Sequence, residues 1–162
     1  MTERKPELAA LRVALGCDHA GLALKQHLKG VLLQQGVQVE DLGTHDESSC
    51  DYPDYAHAVA SGVAEGRFDR GLLVCGTGLG MSYAANRHAG VRAALCTNEF
   101  LARMSRAHND ANVLCLGSRV TGVGVAEAIL SAFISTPFDG DRHTRRVGKI
   151  EPSGPESSKA GG

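Results

Sequence analysis

The sequence predicts an α/β fold with a doubly wound parallel sheet, and three observations lead to this prediction. Short apolar runs alternate with longer segments of helical periodicity, which is the order of β-α-β units. The runs are almost continuously apolar, as in strands that are buried on both faces. Of the 162 residues, 43% are hydrophobic and 22% are charged, as in an ordinary globular domain.

Five runs rich in valine and leucine are the predicted strands: Arg12–Gly16, Val37–Asp41, Gly71–Cys75, Val91–Cys96 and Val113–Gly117. The segments that follow them carry apolar residues three to four positions apart and are the predicted helices: Leu22–Gln35, Tyr55–Glu65, Met81–Asn86, Glu99–Ala107 and Val123–Ser135. A sheet buried on both faces has helices on each side. Ligands of such sheets bind outside the carboxyl ends of the strands.

The length of the chain fits one hydrophobic core, so we expect a single domain over residues 12–150. Residues 1–11 are expected to form a flexible extension. Residues 151–162 include eight proline, serine or glycine residues and predict a disordered tail.

The overall charge balance, 17 basic against 18 acidic residues, gives no general attraction to nucleic acid or to an anionic membrane. No apolar run approaches the roughly 20 residues of a membrane helix, and no secretory signal follows the charged start. The five cysteines form no C-x-x-C pair and have no zinc-finger spacing, which favours reduced thiols in a cytoplasm. No metal site is predicted, since no pairing or clustering of ligands is seen for His27, His45, His57 and His88.

The most informative segment follows the third predicted strand, where Cys75 leads into Gly76-Thr77-Gly78-Leu79-Gly80. Three glycines in five residues let backbone N–H groups converge on an oxyanion, and the next helix adds a positive partial charge at its N-terminus. The same field favours the thiolate of Cys75. Met81 stands where a dinucleotide fingerprint has its third glycine, which argues against a nucleotide cofactor. An inert buried thiol is the alternative for a lone cysteine at a strand end.

Three further side chains come from loops earlier in the chain. Asp18 and His19 follow the first strand at its carboxyl end, where an imidazole at a helix start suits a phosphate or a sugar hydroxyl. A capping role is the alternative for Asp18. Tyr52 offers a phenol at a turn before the second helix, where a packing role is the default interpretation.

Basic and polar residues recur in the second half of the chain. His108 and Asn109 precede the fifth strand, and Arg119 follows its end. A helix cap or a turn is the alternative for the first two. Arg142 and Arg146 are four apart on one helix face, where two guanidinium groups suit a phosphate and a solvated basic helix end is the alternative.

Taken together, these motifs resemble the type B ribose-5-phosphate isomerases, whose superfamily also holds galactose-6-phosphate isomerase subunits. The motifs that match, in the same order between Arg12 and Ile150, are Gly16-Cys17-Asp18-His19-Ala20-Gly21, Asp51-Tyr52-Pro53, Cys75 to Ser82, Ala84-Ala85-Asn86, His108-Asn109-Asp110, Gly117-Ser118-Arg119 and Arg142-His143-x-x-Arg146. The resemblance implies a Rossmann-like three-layer sandwich with a five-stranded parallel sheet. It also implies interconversion of ribose 5-phosphate and ribulose 5-phosphate in the pentose phosphate pathway, without metal or cofactor, by homodimers or homotetramers with sites between subunits.

Roles for single residues are implied by the matching motifs. Cys75 matches the base, and His108 matches the residue that helps to open the furanose ring. Sugar contacts are implied for Asp18 and Tyr52, and a cradle for the enediolate oxygens for Gly76, Thr77, Gly78, Leu79, Gly80 and Asn109. Phosphate and sugar contacts are implied for His19, Arg119, Arg142 and Arg146. With Leu79 and Met81 in the glycine loop, the chain resembles the subtype whose base is cysteine.

Other functions stay open at this point. An isomerase of a six-carbon phosphosugar, such as allose 6-phosphate or galactose 6-phosphate, is compatible with the same motifs, and the loop Thr44–Ser49 would help to decide. A non-catalytic phosphosugar or nucleotide sensor needs neither Cys75 nor His108 and is disfavoured. A thiol-redox role for Cys75 is disfavoured because no resolving cysteine lies near it in the sequence.

Overall fold

A computed structural model describes residues 7–153 of the chain. Within them, one parallel sheet has the strand order β2-β1-β3-β5-β4, formed by β1 (Arg12–Cys17), β2 (Gln38–Asp41), β3 (Arg70–Cys75), β4 (Ala93–Leu95) and β5 (Val113–Gly117). The helices of the same residues are α1 (Leu22–Gln34), α2 (Tyr52–Ala64), α3 (Leu79–Ala85), α4 (Glu99–Ala107), α5 (Val123–Ser135) and α6 (Arg142–Val147). The five predicted strands and the doubly wound sheet are confirmed.

The core lies on both faces of the sheet because neighbouring residues of a strand point to opposite faces. Leu72 and Leu114 pair across β3 and β5 and pack with α1 and α5 on one face. Leu73 and Cys115, the next pair along, pack with α2 and α3 on the other face. The continuous apolar runs of the sequence therefore reflect burial in a three-layer sandwich.

The strand order places a switch point between β1 and β3. From β1 the chain passes to the edge strand β2, then crosses back to β3 on the other side of β1. The helices that leave β1 and β3 cover opposite faces of the sheet, so a crevice opens between the carboxyl ends of these two strands. Asp18 and Cys75 are placed at this crevice by the ends of β1 and β3.

Most element bounds agree with the predictions to within two residues, and the differences that bear on the site and on the sheet edge concern helix α2 and strand β4. Helix α2 begins at Tyr52 instead of Tyr55, since Pro53 in a first helical turn has no N–H group to leave unbonded. Tyr52 therefore lies on a helix and not in a turn before it. Strand β4 is three residues long, and each of these residues is only half-buried, as expected at a sheet edge that pairs on one side with β5.

The two ends of the domain are described in part. Residues Leu8–Ala10 form a short 3-10 turn, and Leu11 is buried against the core. Residues 1–6 of the expected extension and 154–162 of the expected tail lie outside the described residues, so both expectations stay predictions. Between residues 7 and 153, no helix has the length and apolarity to cross a membrane.

Candidate active site

A cleft of about 310 Å³ lies at the switch point of the sheet. It brings together side chains and backbone from the ends of β1, β3 and β5 and from the starts of α2 and α3: Asp18, Tyr52, Cys75, Gly76, Thr77, Gly80, Tyr83 and Arg119. Arg119 also lines a wider neighbouring groove of about 580 Å³ between α1 and the start of α5. In that groove the imidazole of His27 is paired with Glu127, whereas the cleft holds a thiol. The cleft is therefore the better candidate for the chemistry.

Cys75 is the last residue of β3 and is 5% exposed, with its side chain at the wall of the cleft. The backbone N–H of Gly78 donates a hydrogen bond to its sulfur over 3.1 Å. Gly78 has φ +79°, and a Cβ atom there would lie 2.5 Å from Leu95 Cδ1 and 2.9 Å from the carbonyl carbon of Leu116. Glycine thus lets the loop turn back tightly enough to direct an amide at the sulfur, which stabilises negative charge on it.

The other core cysteines, Cys17, Cys96 and Cys115, do not line the cleft. Burial raises the pKa of Cys17 and of Cys96 to about 11, and burial raises the pKa of Cys115 still further. These three side chains therefore remain uncharged thiols inside the protein. All five cysteines are free, and Cys75 is the one whose side chain lines the cleft.

Asp18 caps a turn and also lines the cleft. Its Oδ1 accepts a hydrogen bond from the Gly21 N–H at 3.1 Å and so caps the 3-10 turn His19–Gly21. The same side chain lines the cleft. Nearby, His19 Nδ1 accepts a hydrogen bond from the Cys50 N–H at 3.2 Å, so a neutral ring carries its proton on Nε2.

The starts of α2 and α3 meet at a glycine. A Cβ atom at Gly80 would lie 2.5 Å from the ring of Tyr52, so the phenol packs on the backbone of the glycine loop. Tyr83, which the sequence predictions missed, also lines the cleft. Its spacing of three residues from Gly80 puts both on one face of α3, and this spacing could have revealed it. Two predicted residues of the glycine loop, Gly78 and Leu79, are not part of the cleft lining. The N–H of Gly78 is bonded to the Cys75 sulfur, and Leu79 is 44% exposed.

The remaining predicted site residues lie at the opposite edge of the sheet: His108, Asn109, Arg142 and Arg146. Helix α4 returns from the carboxyl edge and ends at Ala107, ahead of β5. Next to β5, the carbonyl of Asn112 accepts a hydrogen bond from the N–H of Gly71, at the start of β3. Gly71 and Cys75 are separated by roughly 13 Å of extended strand. In the described chain, no imidazole lines the cleft that holds Cys75. The predicted site residue His19 directly follows Asp18, which is part of the lining.

His108 is part of a cluster with His143 and Asp139. The two imidazole rings stack with centroids 4.3 Å apart and an angle of 9° between their planes, and His108 Nε2 lies 3.9 Å from Asp139 Oδ2. Burial lowers the pKa of His143, as does electrostatic repulsion from the neighbouring side chains of His108, Arg142 and Arg146. These side chains are of metal-ligating types and lie close together. Stacked rings, however, direct their nitrogen lone pairs along parallel planes and not to one point, so we assign the cluster no ion.

The loop that carries Asn109 is held by its neighbour Asp110. Asp110 has φ +47°, a left-handed conformation that is unusual for a residue other than glycine. Its carboxylate pairs with Arg106 at 2.8 Å and with Arg92 at 3.3 Å. Arg92 Nε also donates to the carbonyl oxygens of Asn109 and Asp110. These contacts give the His108–Asp110 loop a fixed shape.

The fold and the cleft define a class of protein, a doubly wound α/β protein with a cysteine thiol in a cleft at the switch point of its sheet. Comparison with known proteins gives the family. The family described as Ribose/Galactose Isomerase matches residues 13–150, and this chain belongs to it. It is therefore an isomerase, and the resemblance seen in the sequence is confirmed.

Individual relatives agree with this assignment. Ribose-5-phosphate isomerase B of Escherichia coli is 47% identical over 139 residues, which are 86% of this chain and 93% of that protein. The structure of ribose-5-phosphate isomerase B from Clostridium thermocellum has a TM-score of 0.85 and 49% identity, covering 86% of this chain and 95% of that one. The structure of a ribose 5-phosphate isomerase from Thermotoga maritima has a TM-score of 0.85 and 50% identity, covering 87% and 97%.

Proposed function

We propose that this chain interconverts ribose 5-phosphate and ribulose 5-phosphate, a step of the pentose phosphate pathway, with Cys75 as the base. The observation that carries the proposal is the sulfur at the wall of the switch-point cleft, facing the N–H of Gly78. The relatives and solved structures named above support the five-carbon substrate. They do not favour the alternative of a six-carbon phosphosugar. A non-catalytic sensor would not use this thiol.

The reaction moves one hydrogen between neighbouring carbons of the open-chain sugar. The Cys75 thiolate removes the proton from C2, and the electron pair of that C–H bond forms a C1=C2 double bond while the C1 carbonyl oxygen becomes negative. The thiol then returns its proton to C1 of this enediolate. The O2 proton moves to O1, so that a ketone remains at C2 and atoms and charges balance. A single base placed over both carbons is sufficient, and no metal or cofactor is part of the scheme.

The cleft supplies donors for the developing oxyanion. The first hydrogen bond inside α3 runs from the N–H of Ser82 to the carbonyl of Gly78. The N–H of Gly80 comes before it and therefore has no acceptor within the helix. Gly80 lines the cleft next to Gly76 and Thr77. Preorganised donors of this kind contribute on the order of 10²–10³ in rate. Asp18, Tyr52 and Arg119 line the cleft. We assign Asp18 and Tyr52 to the sugar hydroxyls, and Arg119 together with the Nε2–H of His19 to the phosphate end.

The proposal includes a second copy of the chain. Cys75 lies at one edge of the sheet, and the cluster of His108, Asn109, Arg142 and Arg146 lies at the opposite edge. One chain alone therefore does not bring together the residues proposed for ring opening, for proton transfer and for phosphate binding. In a homodimer or homotetramer, the edge that carries His108 would complete the cleft of a neighbour. Leu79 (44% exposed) and Tyr83 (61% exposed) beside the cleft offer apolar surface for such an interface. We place the enzyme in the cytoplasm, where its five free thiols persist.

Incubation with ribose 5-phosphate in deuterated water tests the proposal. The wild type is expected to form ribulose 5-phosphate with deuterium at C1, and recovered aldose with deuterium at C2. Cys75→Ala is expected to lose at least about 10³ in turnover, since the base is removed, and to keep its phosphate affinity. Cys96→Ala, which removes a buried thiol away from the cleft, is the control. A wild type that forms no ketose would refute the function, and a Cys75→Ala variant with near-normal turnover would refute the base.

A further inference from the structure

Lys25 is a charged residue that the chemistry of the cleft does not use. Its side chain on α1 is fully buried. Its Nζ donates to Asp41 Oδ1 at 2.6 Å and to the carbonyl oxygen of Thr44 at 2.6 Å. Burying an ammonium group costs several kcal/mol before its partners offset that cost, and an apolar side chain would fill the same space without this cost. Stability alone therefore does not explain a lysine here, and the contacts of Lys25 point to a further role for its charge.

These contacts fix the turn that follows β2. Asp41 Oδ1 also accepts a hydrogen bond from the Gly43 N–H at 3.1 Å, and Asp41 Oδ2 accepts one from Lys29 at 3.1 Å. Backbone hydrogen bonds also join this turn to Cys17, the last residue of β1. The N–H of Cys17 donates to the Gly43 carbonyl at 2.7 Å, and the N–H of Thr44 donates to the Cys17 carbonyl at 2.9 Å. Asp18 and His19 come directly after that residue.

The segment that starts at this turn also contacts the cleft at its other end. From Thr44 the chain runs through an exposed loop to Cys50, whose N–H donates to His19 Nδ1. Two residues later Tyr52 begins α2 at the rim of the cleft. The loop from Thr44 to Asp51 is therefore fixed at its start by Lys25 and determines at its end the hydrogen bond that orients His19.

We propose that Lys25, together with Asp41, is a positioning residue for the isomerase reaction: it holds the loop from Thr44 to Asp51 so that His19 presents Nε2–H, and Tyr52 its phenol, to the phosphosugar. This inference rests on the function proposed above. The contacts of Lys25 with Asp41 and with the Thr44 carbonyl are called the Lys25–Asp41 clamp below. Cys75 and the Gly78 amide are held by β3 and α3 and not by the loop, so the clamp affects substrate binding more than proton transfer.

Lys25→Met tests the inference, because it keeps the apolar stem and leaves Asp41 with Lys29 and the Gly43 amide. We expect KM for ribose 5-phosphate to rise on the order of tenfold while kcat changes little, the signature of lost binding in ground and transition state alike. The matched control is Arg12→Met/Asp69→Asn, which removes a 2.8 Å ion pair at the other end of β1 and should leave KM unchanged. If Lys25→Met does not fold, Lys25→Met/Asp41→Asn leaves no unpaired buried charge and is expected to give the same rise.

A second measurement does not depend on turnover. The ¹⁵N chemical shifts of the His19 ring report whether Nδ1 accepts a hydrogen bond, and we expect this signature in the wild type and its loss in Lys25→Met. A folded variant with wild-type KM and unchanged His19 shifts, differing only in thermal stability, would show a merely structural role and overturn the inference. If the wild type does not act on ribose 5-phosphate, the proposed function fails, and the His19 shifts still decide whether Lys25 orients the His19 ring.

Discussion

At the scale of single residues, Gly80 shows how closely the cleft is packed. A methyl group at this position would lie 2.5 Å from the ring of Tyr52, so Gly80→Ala has to displace the phenol or the glycine loop. We expect kcat/KM for ribose 5-phosphate to fall on the order of tenfold or more, since small displacements in a preorganised site have large effects on rate. Steady-state kinetics with thermal unfolding of the same preparation measures this.

Gly30→Ala is the control for that substitution. Gly30 lies in α1, where an added Cβ meets nothing within 4 Å. Because alanine is the better helix former, we expect Gly30→Ala to raise the free energy of unfolding by about 0.5–1 kcal/mol and to leave the kinetics unchanged. Wild-type kinetics for Gly80→Ala would mean that Tyr52 does not have to keep its position.

At the scale of elements, the clamp between α1 and the end of β2 makes stability depend on pH. Burial raises the pKa of Asp41, but hydrogen bonds from Lys25, the Gly43 amide and Lys29 outweigh this effect, and the net pKa lies below the ordinary 3.8. A carboxyl group with a lowered pKa stabilises the fold above its ordinary value, and that contribution is lost as the pH falls through the folded value. Acid should therefore weaken this clamp.

Urea unfolding at a series of pH values checks this expectation. The wild type should lose stability more steeply below about pH 4 than Lys25→Met/Asp41→Asn, which has no carboxylate to protonate at this place. Asp69, whose pKa is lowered chiefly by a hydrogen bond from Arg12, acts in the same direction in both proteins, so the difference between them isolates Asp41. Parallel pH profiles would contradict the assignment.

Strands could be predicted from the sequence where they are fully buried, because burial on both faces requires a continuous run of apolar residues. Strand β5 is fully buried, and its apolar run Val113–Gly117 gave both bounds. At the edge strand β4, the flanking apolar residues Val91 and Cys96 lie outside the strand but are buried in the core, so the apolar run overestimated the length of the strand. The clamp of Lys25 and Asp41 could not be predicted, because the two residues are 16 positions apart and no local pattern links a lysine in a helix to a strand end.

At the scale of the whole molecule, the β-α-β order separates the predicted site into two halves. Residues at or just after the ends of strands, such as Cys75 and Arg119, come to the carboxyl edge of the sheet. Residues that follow a helix, such as His108, come to the amino edge, next to the start of β5. The motifs of the sequence gave the residues but not this separation, because a single sequence does not show how copies of the chain meet. The split supports the site between subunits that the resemblance implies.

Mixing two inactive variants tests the shared site directly. Cys75→Ala lacks the base, and His108→Ala/Arg142→Ala lacks groups of the other half. After subunit exchange between equal amounts, half of the dimers are mixed, and in each of these one site has both mutations while the other has none. We therefore expect recovery of about a quarter of the wild-type activity. If mass spectrometry shows mixed dimers and the activity stays at the sum of the parents, each cleft works with residues of its own chain, and the two edges of the sheet do not meet across an interface.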